Sequence, residues 1–252
     1  MQQGLTNGAR QGPHEAQAAL ERRLDEVRAR IARACAQARR PADSVRLLAV
    51  SKTFDADDVL ALAALGQRAF GENYVQEGLD KIERCDRADA RPDAPLEWHF
   101  IGPLQSNKTR AVAERFDWVH SVERERIALR LAEQRPADAA PLNVCVQVNV
   151  SGEASKSGCA PAEAAALARL IATLPRLRLR GLMAIPEATQ EESQQRRAFA
   201  SLRGLYEELR AGGLALDTLS MGMSADLESA IAEGSTLVRV GTALFGERPR
   251  RT

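Results

Sequence analysis

Arg46-Leu-Leu-Ala-Val-Ser-Lys52 is a short apolar run that stops abruptly on a lysine, and Thr53-Phe-Asp-Ala-Asp-Asp58 behind it has the make-up of a helix start. Only Lys52, Lys81, Lys108 and Lys156 are lysines among 35 Lys+Arg, so an ammonium at a strand end is not drawn from a common pool. Such a lysine does one of two things. It snorkels to water along the strand end, or it is desolvated, its pKa falls, and its amine forms an imine with an aldehyde.

Working outward from this run, residues 1–14 are polar and Gly-rich, without the apolar core of a signal peptide, and are expected to be a disordered leader. Leu20, Leu24, Val27, Ile31 and Ala34 then recur at three- and four-residue steps, which predicts an amphipathic helix before Pro41. From 45–51 onward, strand-like runs at 68–70, 96–101, 116–121, 142–150, 177–184, 216–219 and 237–240 alternate with helix-like segments. No break in composition separates them. Eight such strands predict one parallel closed sheet, a single (β/α)8 barrel over residues 15–252 with an extra N-terminal helix, rather than two domains. The alternative is an open doubly wound sheet, and the missing G-x-G-x-x-G after the first strand counts against a dinucleotide site there.

The whole-chain numbers exclude several function classes. A net charge of +1 provides no basic field for nucleic acid or an anionic membrane surface, and no apolar run approaches the ~18 residues of a span. Cys35, Cys85, Cys145 and Cys159 are far apart without a C-x-x-C pair, as in a reduced, cytoplasmic chain with neither zinc site nor disulfide framework.

Polar and special residues fall at or near the C-terminal ends of successive strands: Lys52, Asn73, His99, Ser121, Asn149, Met183, the Ser220-Met-Gly-Met-Ser224 turn and Gly241-Thr242. Barrel proteins build their sites on that face. Singly, each is also explained as a turn or cap. The segments after strands seven and eight have the small and hydroxyl residues of phosphate loops. Because strand eight of a closed barrel pairs with strand one, at about 4.8 Å, a phosphate held there lies within one small molecule's length of Lys52. Pyridoxal 5′-phosphate has the required shape, with a phosphate at one end and an aldehyde near the other. Alternation puts Leu237 and Arg239 on one face and Val238 and Val240 on the other. Arg239 is thus expected in the barrel mouth, at the phosphate or the pyridine nitrogen, or in a salt bridge to an acid such as Glu72.

Six motifs in order go further: Leu47-Leu-Ala-Val-Ser-Lys-Thr53, Phe70-Gly-Glu-Asn-Tyr-Val-Gln-Glu77, Glu97-Trp-His-Phe-Ile-Gly-Pro-Leu-Gln-Ser-Asn-Lys108, Arg180-Gly-Leu-Met-Ala-Ile185, Leu219-Ser-Met-Gly-Met-Ser-Ala-Asp226 and Val238-Arg-Val-Gly-Thr-Ala-Leu-Phe-Gly246. They closely resemble the pyridoxal phosphate homeostasis proteins, from about Leu20 to Glu247. The resemblance implies a barrel similar to the alanine racemase N-terminal domain, with Lys52 as the Schiff-base lysine. It implies phosphate contacts from Ser220, Met221, Ser224, Gly241 and Thr242, with Arg239 and Asn73 beside the cofactor. Members of the family have no established turnover and keep pyridoxal phosphate, amino acids and keto acids in balance.

The expected function is therefore a monomeric pyridoxal phosphate carrier, with apo-enzymes that use this cofactor as recipients. The chain ends soon after strand eight, and racemases of this barrel type depend on a second domain, which favours carrying over catalysis. The competing readings are a pyridoxal phosphate enzyme with weak racemase activity and a Schiff-base aldolase using Lys52. Tyr206 falls in a surface helix pattern, and His99 reads equally as a core imidazole or a catalytic one. Lys156, in the loop after strand five, reads as a solvated lysine or a second docking point.

Overall fold

A computed structural model describes residues 13–88, 94–152 and 157–246. Lys156 and residues 1–12 of the expected leader lie outside these. Helix α1 (Pro13–Gln37) begins inside the stretch expected as leader and buries the predicted stripe of Leu20, Leu24, Val27, Ile31 and Ala34. The chain then alternates through β1 (Arg46–Val50), α2 (Ala56–Ala64), β2 (Ala69–Glu72), α3 (Val75–Asp86), β3 (Glu97–Phe100), α4 (Thr109–Arg115), β4 (Trp118–Val122) and α5 (Glu125–Gln134). It continues through β5 (Leu142–Gln147), α6 (Pro161–Ala172), β6 (Leu177–Met183), α7 (Glu192–Ala211), β7 (Thr218–Ser220), α8 (Leu227–Ala232), β8 (Leu237–Val240) and α9 (Thr242–Phe245).

Every strand is parallel to its neighbours in chain order, and β8 returns to β1 with Leu48 opposite Arg239 and Ala49 opposite Val240. The (β/α)8 barrel with an extra N-terminal helix is therefore the fold. Helix α1 covers the closing seam: Arg23 Nε donates to Leu244 O and Arg30 Nη2 donates to Ser224 O, and just after the helix Arg40 Nη1 donates to Ile231 O.

Two-residue periodicity divides each strand between the helix-covered core and the barrel interior. Val238 and Val240 join the outer core, whereas Leu237 packs inside with Leu48, Val50, Ala69 and Ile101. Arg239 shares the inward face of Leu237, as alternation predicts. In β4 the register slips between Val119 and Val122, both valines meet the outer core, and His120 points inward to bond across the barrel.

Three expectations change. Strand β2 continues past the expected 68–70 through Gly71 and Glu72, and the glycine suits an interior with no room for a side chain: a Cβ on Gly71 would meet Ile101 at 3.1 Å and Leu48 at 3.2 Å. Strand β5 ends at Gln147, and Val148 makes only an isolated bridge to Cys159. Tyr206 is buried, not on the surface, because its hydroxyl donates to Leu216 O at 3.0 Å while the ring packs in the core. No helix among the described residues is long and apolar enough to cross a membrane.

All four cysteines are free and buried. Burial pushes the Cys85 and Cys159 thiols up to about 11 and that of Cys145 to about 12. The thiolate is the reactive form, so native protein is expected to show almost no reaction with an aromatic disulfide reagent over minutes. All four thiols should react once guanidinium unfolds the chain, and a rapid thiol release from native protein would contradict this packing.

Candidate functional site

A cavity of about 260 Å³ opens at the C-terminal end of the barrel, just below the size typical of drug-like ligand sites. Lys52, Asn73, Ser224, Arg239, Gly241 and Thr242 line it. Val50, Phe54, Ile101, Ile185 and Met223 supply its apolar wall.

Lys52 stands where it does because the residues on either side are tied down from outside the barrel. The Lys81 ammonium, in α3, donates to Ser51 O at 2.6 Å, to Glu72 Oε1 at 2.7 Å and to Glu77 Oε1 at 2.8 Å. Ser51 Oγ donates to Glu72 Oε1 at 2.6 Å, and the Thr53 N–H donates to Glu77 Oε1 at 2.5 Å. Thr53 has φ +72°, unusual and costly for a β-branched residue. The Glu77 bond holds that conformation. Behind it Asp55 caps α2, accepting from the N–H groups of Asp57 and Asp58, and Asp58 Oδ2 accepts in return from the Asp55 N–H. Ser51 and Thr53 are thus bound to an outer acid-base cluster while Lys52 lines the cavity. Burial pushes the Glu72 carboxyl up, opposed by the Lys81 ammonium and the Ser51 hydroxyl.

Arg239 crosses from the cavity wall into the barrel. Its Nη1 donates to Ser220 O at 2.6 Å and Ser220 Oγ at 2.8 Å, and Nη2 donates to Ala184 O at 2.8 Å. It does not pair with Glu72, whose Oε1 is taken by Lys81 and Ser51 on the other side of β1. Burial lowers the Arg239 guanidinium to about 10, opposed by the charge of Asp226, so it remains a cation at neutral pH.

The two expected phosphate loops both reach the cavity, through Ser224 and Ala225 and through Gly241 and Thr242. Their geometry differs from a long helix aimed at an anion. Helix α8 starts at Leu227, three residues after Ser224, and α9 has four residues, so helix dipoles contribute little. What remains are the hydroxyls of Ser224 and Thr242 beside short turns, the first of which is closed by the Met223 N–H donating to Asp226 Oδ1 and the Asp226 N–H donating to Met223 O. The β7 turn itself needs Gly222 at φ +95°, where a Cβ would lie 2.6 Å from Ala230 Cβ.

Three sequence-predicted residues do not line the cavity. Met183 lies fully buried with Trp118 and Cys145 inside the barrel. Met221 belongs to the outer core, and its N–H donates to Leu237 O. Ser220 points inward to His120 and Arg239. Each is one step off the cavity in strand phase or depth, because spacing locates the strand end but not the layer. Sequence reasoning missed Lys81, although its rarity among the basic residues is the signal that singled out Lys52. It also missed His120, and Ile101, Ile185 and Met223 carried only ordinary apolar character.

Residues 23–249 match the family described as alanine racemase, N-terminal domain. The chain is 60% identical over 225 residues to the pyridoxal phosphate homeostasis protein of Pseudomonas aeruginosa, spanning 89% of this chain and 94% of that protein. PipY of Synechococcus elongatus, solved with PLP bound, is 37% identical with a TM-score of 0.77, over 90% of this chain and 100% of that one. Alanine racemase from Corynebacterium glutamicum, 18% identical with a TM-score of 0.67, shares the barrel over 93% of this chain and 62% of its own.

The Lys81 cluster makes the site sensitive to one charge. Lys81→Met leaves Glu72 buried without its cation and is expected to destabilise the fold by about 3–5 kcal/mol in guanidinium unfolding. Lys81→Met combined with Glu72→Leu should recover most of that loss. A single variant as stable as wild type would show that the cluster does not hold the strand end.

Proposed function

The chain belongs to the pyridoxal phosphate homeostasis family, whose barrel is that of the alanine racemase N-terminal domain, and from that premise we propose that it holds pyridoxal 5′-phosphate as an imine on Lys52. In this reading it is a monomeric, cytoplasmic carrier that serves vitamin B6, amino acid and keto acid homeostasis and passes the cofactor to apo-enzymes without turnover of its own. The observation that carries the proposal is the convergence of Lys52, Arg239, Ser224 and Thr242 on one small cavity.

The residues present suit the group. Asn73 Oδ1 is buried and has no hydrogen-bond partner among the described residues, so the cavity wall carries an acceptor that a polar ligand would satisfy. When bound, the cofactor supplies an aldehyde that condenses reversibly with an amine, with loss of one water. Lys52 provides that amine at a strand end fixed by its neighbours. Ser224 and Thr242 provide hydroxyl donors to the phosphate, and Gly241 keeps the backbone beside them clear of a side chain. Arg239 presents a fixed cation, and opposite a ring nitrogen such a cation disfavours protonation of that nitrogen. Ile101, Ile185 and Met223 give the cavity an apolar lining. Met183, Ser220 and Met221 act from behind this wall, Ser220 through its bonds to Arg239.

Protein mixed with pyridoxal 5′-phosphate and passed through gel filtration is expected to keep a violet imine absorbance, and borohydride should fix the mass of the reduced adduct on Lys52. Lys52→Ala should lose both. Ser224→Ala and Thr242→Val should each weaken binding about five-fold, the worth of one hydrogen bond of ~1 kcal/mol. Wild-type protein that takes up none of the cofactor would overturn the proposal. Incubation with a panel of amino acids should give at most stoichiometric change in chirality or keto acid, and multiple turnovers would make the protein an enzyme.

A further inference from the structure

A line of side chains crosses the barrel interior from β3 to β8. His99 Nε2 lies 2.7 Å from Glu97 Oε1, and His99 Nδ1 lies 2.8 Å from His120 Nε2. His120 Nδ1 lies 2.8 Å from Ser220 Oγ, and Arg239 Nη1 donates to that same oxygen at 2.8 Å. His99, His120 and Ser220 are fully buried. At the far end Arg46 Nη2 donates to Glu97 Oε1 at 2.5 Å. The chain therefore runs from a carboxylate on the N-terminal side of the barrel to the guanidinium in the cavity wall.

Its proton positions follow from its ends. Burial raises the Glu97 carboxyl, but the His99 bond and the Arg46 charge outweigh this and bring it down to about 2, so it is ionised and can only accept. His99 must donate from Nε2. Burial disfavours the charged form of both imidazoles, most strongly that of His120; with both rings neutral, the bonding pattern has a single solution. Nδ1 of His99 is then an acceptor, so His120 donates from Nε2 and accepts at Nδ1. Ser220 must supply that donor with its O–H, and its oxygen is left to accept from Arg239. Each step leaves one orientation, and each bond polarises the next.

We propose that Glu97, His99, His120 and Ser220 are positioning residues that form a one-way hydrogen-bond relay, holding Arg239 in a single orientation at the ligand cavity. The Arg239 bonds end on the uncharged oxygens of Ser220 and Ala184. A carboxylate placed directly on this guanidinium would compete with an anionic or aromatic ligand for the same charge. The relay delivers the pull of a carboxylate through four hydrogen bonds and leaves the cation available. This inference rests on the proposed pyridoxal phosphate site for its purpose, but its proton arrangement is independent of any ligand.

The test begins with nitrogen-15 NMR of histidine-labelled protein carrying His14→Gln, so that only the two buried rings report. Both are expected as neutral Nε2–H tautomers that do not titrate between about pH 5 and 8, where ordinary histidines do. An Nδ1–H tautomer or a doubly protonated ring would overturn the relay. Glu97→Gln, which keeps the shape but removes the charge, and Ser220→Ala, which cuts the line, are then titrated with pyridoxal 5′-phosphate. Each is expected to bind roughly 3- to 10-fold more weakly than wild type, in the range of coupling through such networks, with Ser220→Thr restoring affinity. Wild-type affinity in both Glu97→Gln and Ser220→Ala would overturn the relay's role. Wild-type protein that binds no pyridoxal phosphate would instead overturn the proposed function, while the tautomers still decide whether the relay exists.

Discussion

The pairing of β8 with β1 is the constraint on which the site depends. With Leu48 opposite Arg239 and Ala49 opposite Val240, the last strand delivers an arginine, a glycine and a threonine to the mouth in which the first strand ends on Lys52. Residues almost two hundred positions apart in sequence become neighbours by main-chain hydrogen bonds alone. An open sheet of the same strands would leave the two ends at opposite edges, and none of the cavity would exist.

The charged side chains on and around the barrel are held in pairs and clusters. Outside the sheet, Lys81 pairs with both Glu72 and Glu77 while donating to the carbonyl of Ser51, so the cluster also immobilises the strand end. Below the cavity, Glu97 answers Arg46 directly. At the bottom of the barrel Arg180 pairs with Asp217 and lies 4.6 Å from the centre of the Trp118 ring. The Lys81 cluster holds the lysine through its backbone neighbours, and the oxygens of Ser220 and Ala184 hold the arginine through its side chain.

Much of this was legible beforehand, and the reasons are specific. The stripe Leu20, Leu24, Val27, Ile31 and Ala34 read as a buried helix face because 3.6-residue spacing leaves little choice. Arg239 read as inward because Val238 and Val240 had to be outward. The run at 68–70 stops short of Gly71 and Glu72, since a glycine in a turn and a glycine in a crowded barrel look alike in one dimension. Tyr206 was misread because its helix is polar on most sides and the partner of its hydroxyl, Leu216 O, lies beyond the next turn. Ser220, Met221 and Met183 stand at the expected strand ends, and their side chains lie behind the cavity lining, a depth that one-dimensional spacing does not encode.

The sequence by itself determined the alternation of strands and helices, the phase of the last strand and the rare lysine at the end of the first. Those properties are local, set by side-chain periodicity and by which residues tolerate turns. Only the tertiary structure decided that Lys81 bolts the Lys52 loop, that His99 and His120 join hands across the barrel, and that Arg239 ends on uncharged oxygens. Those contacts join different strands and helices, and whether a buried polar group is paired, and with what, depends on how far each side chain reaches once the barrel has closed.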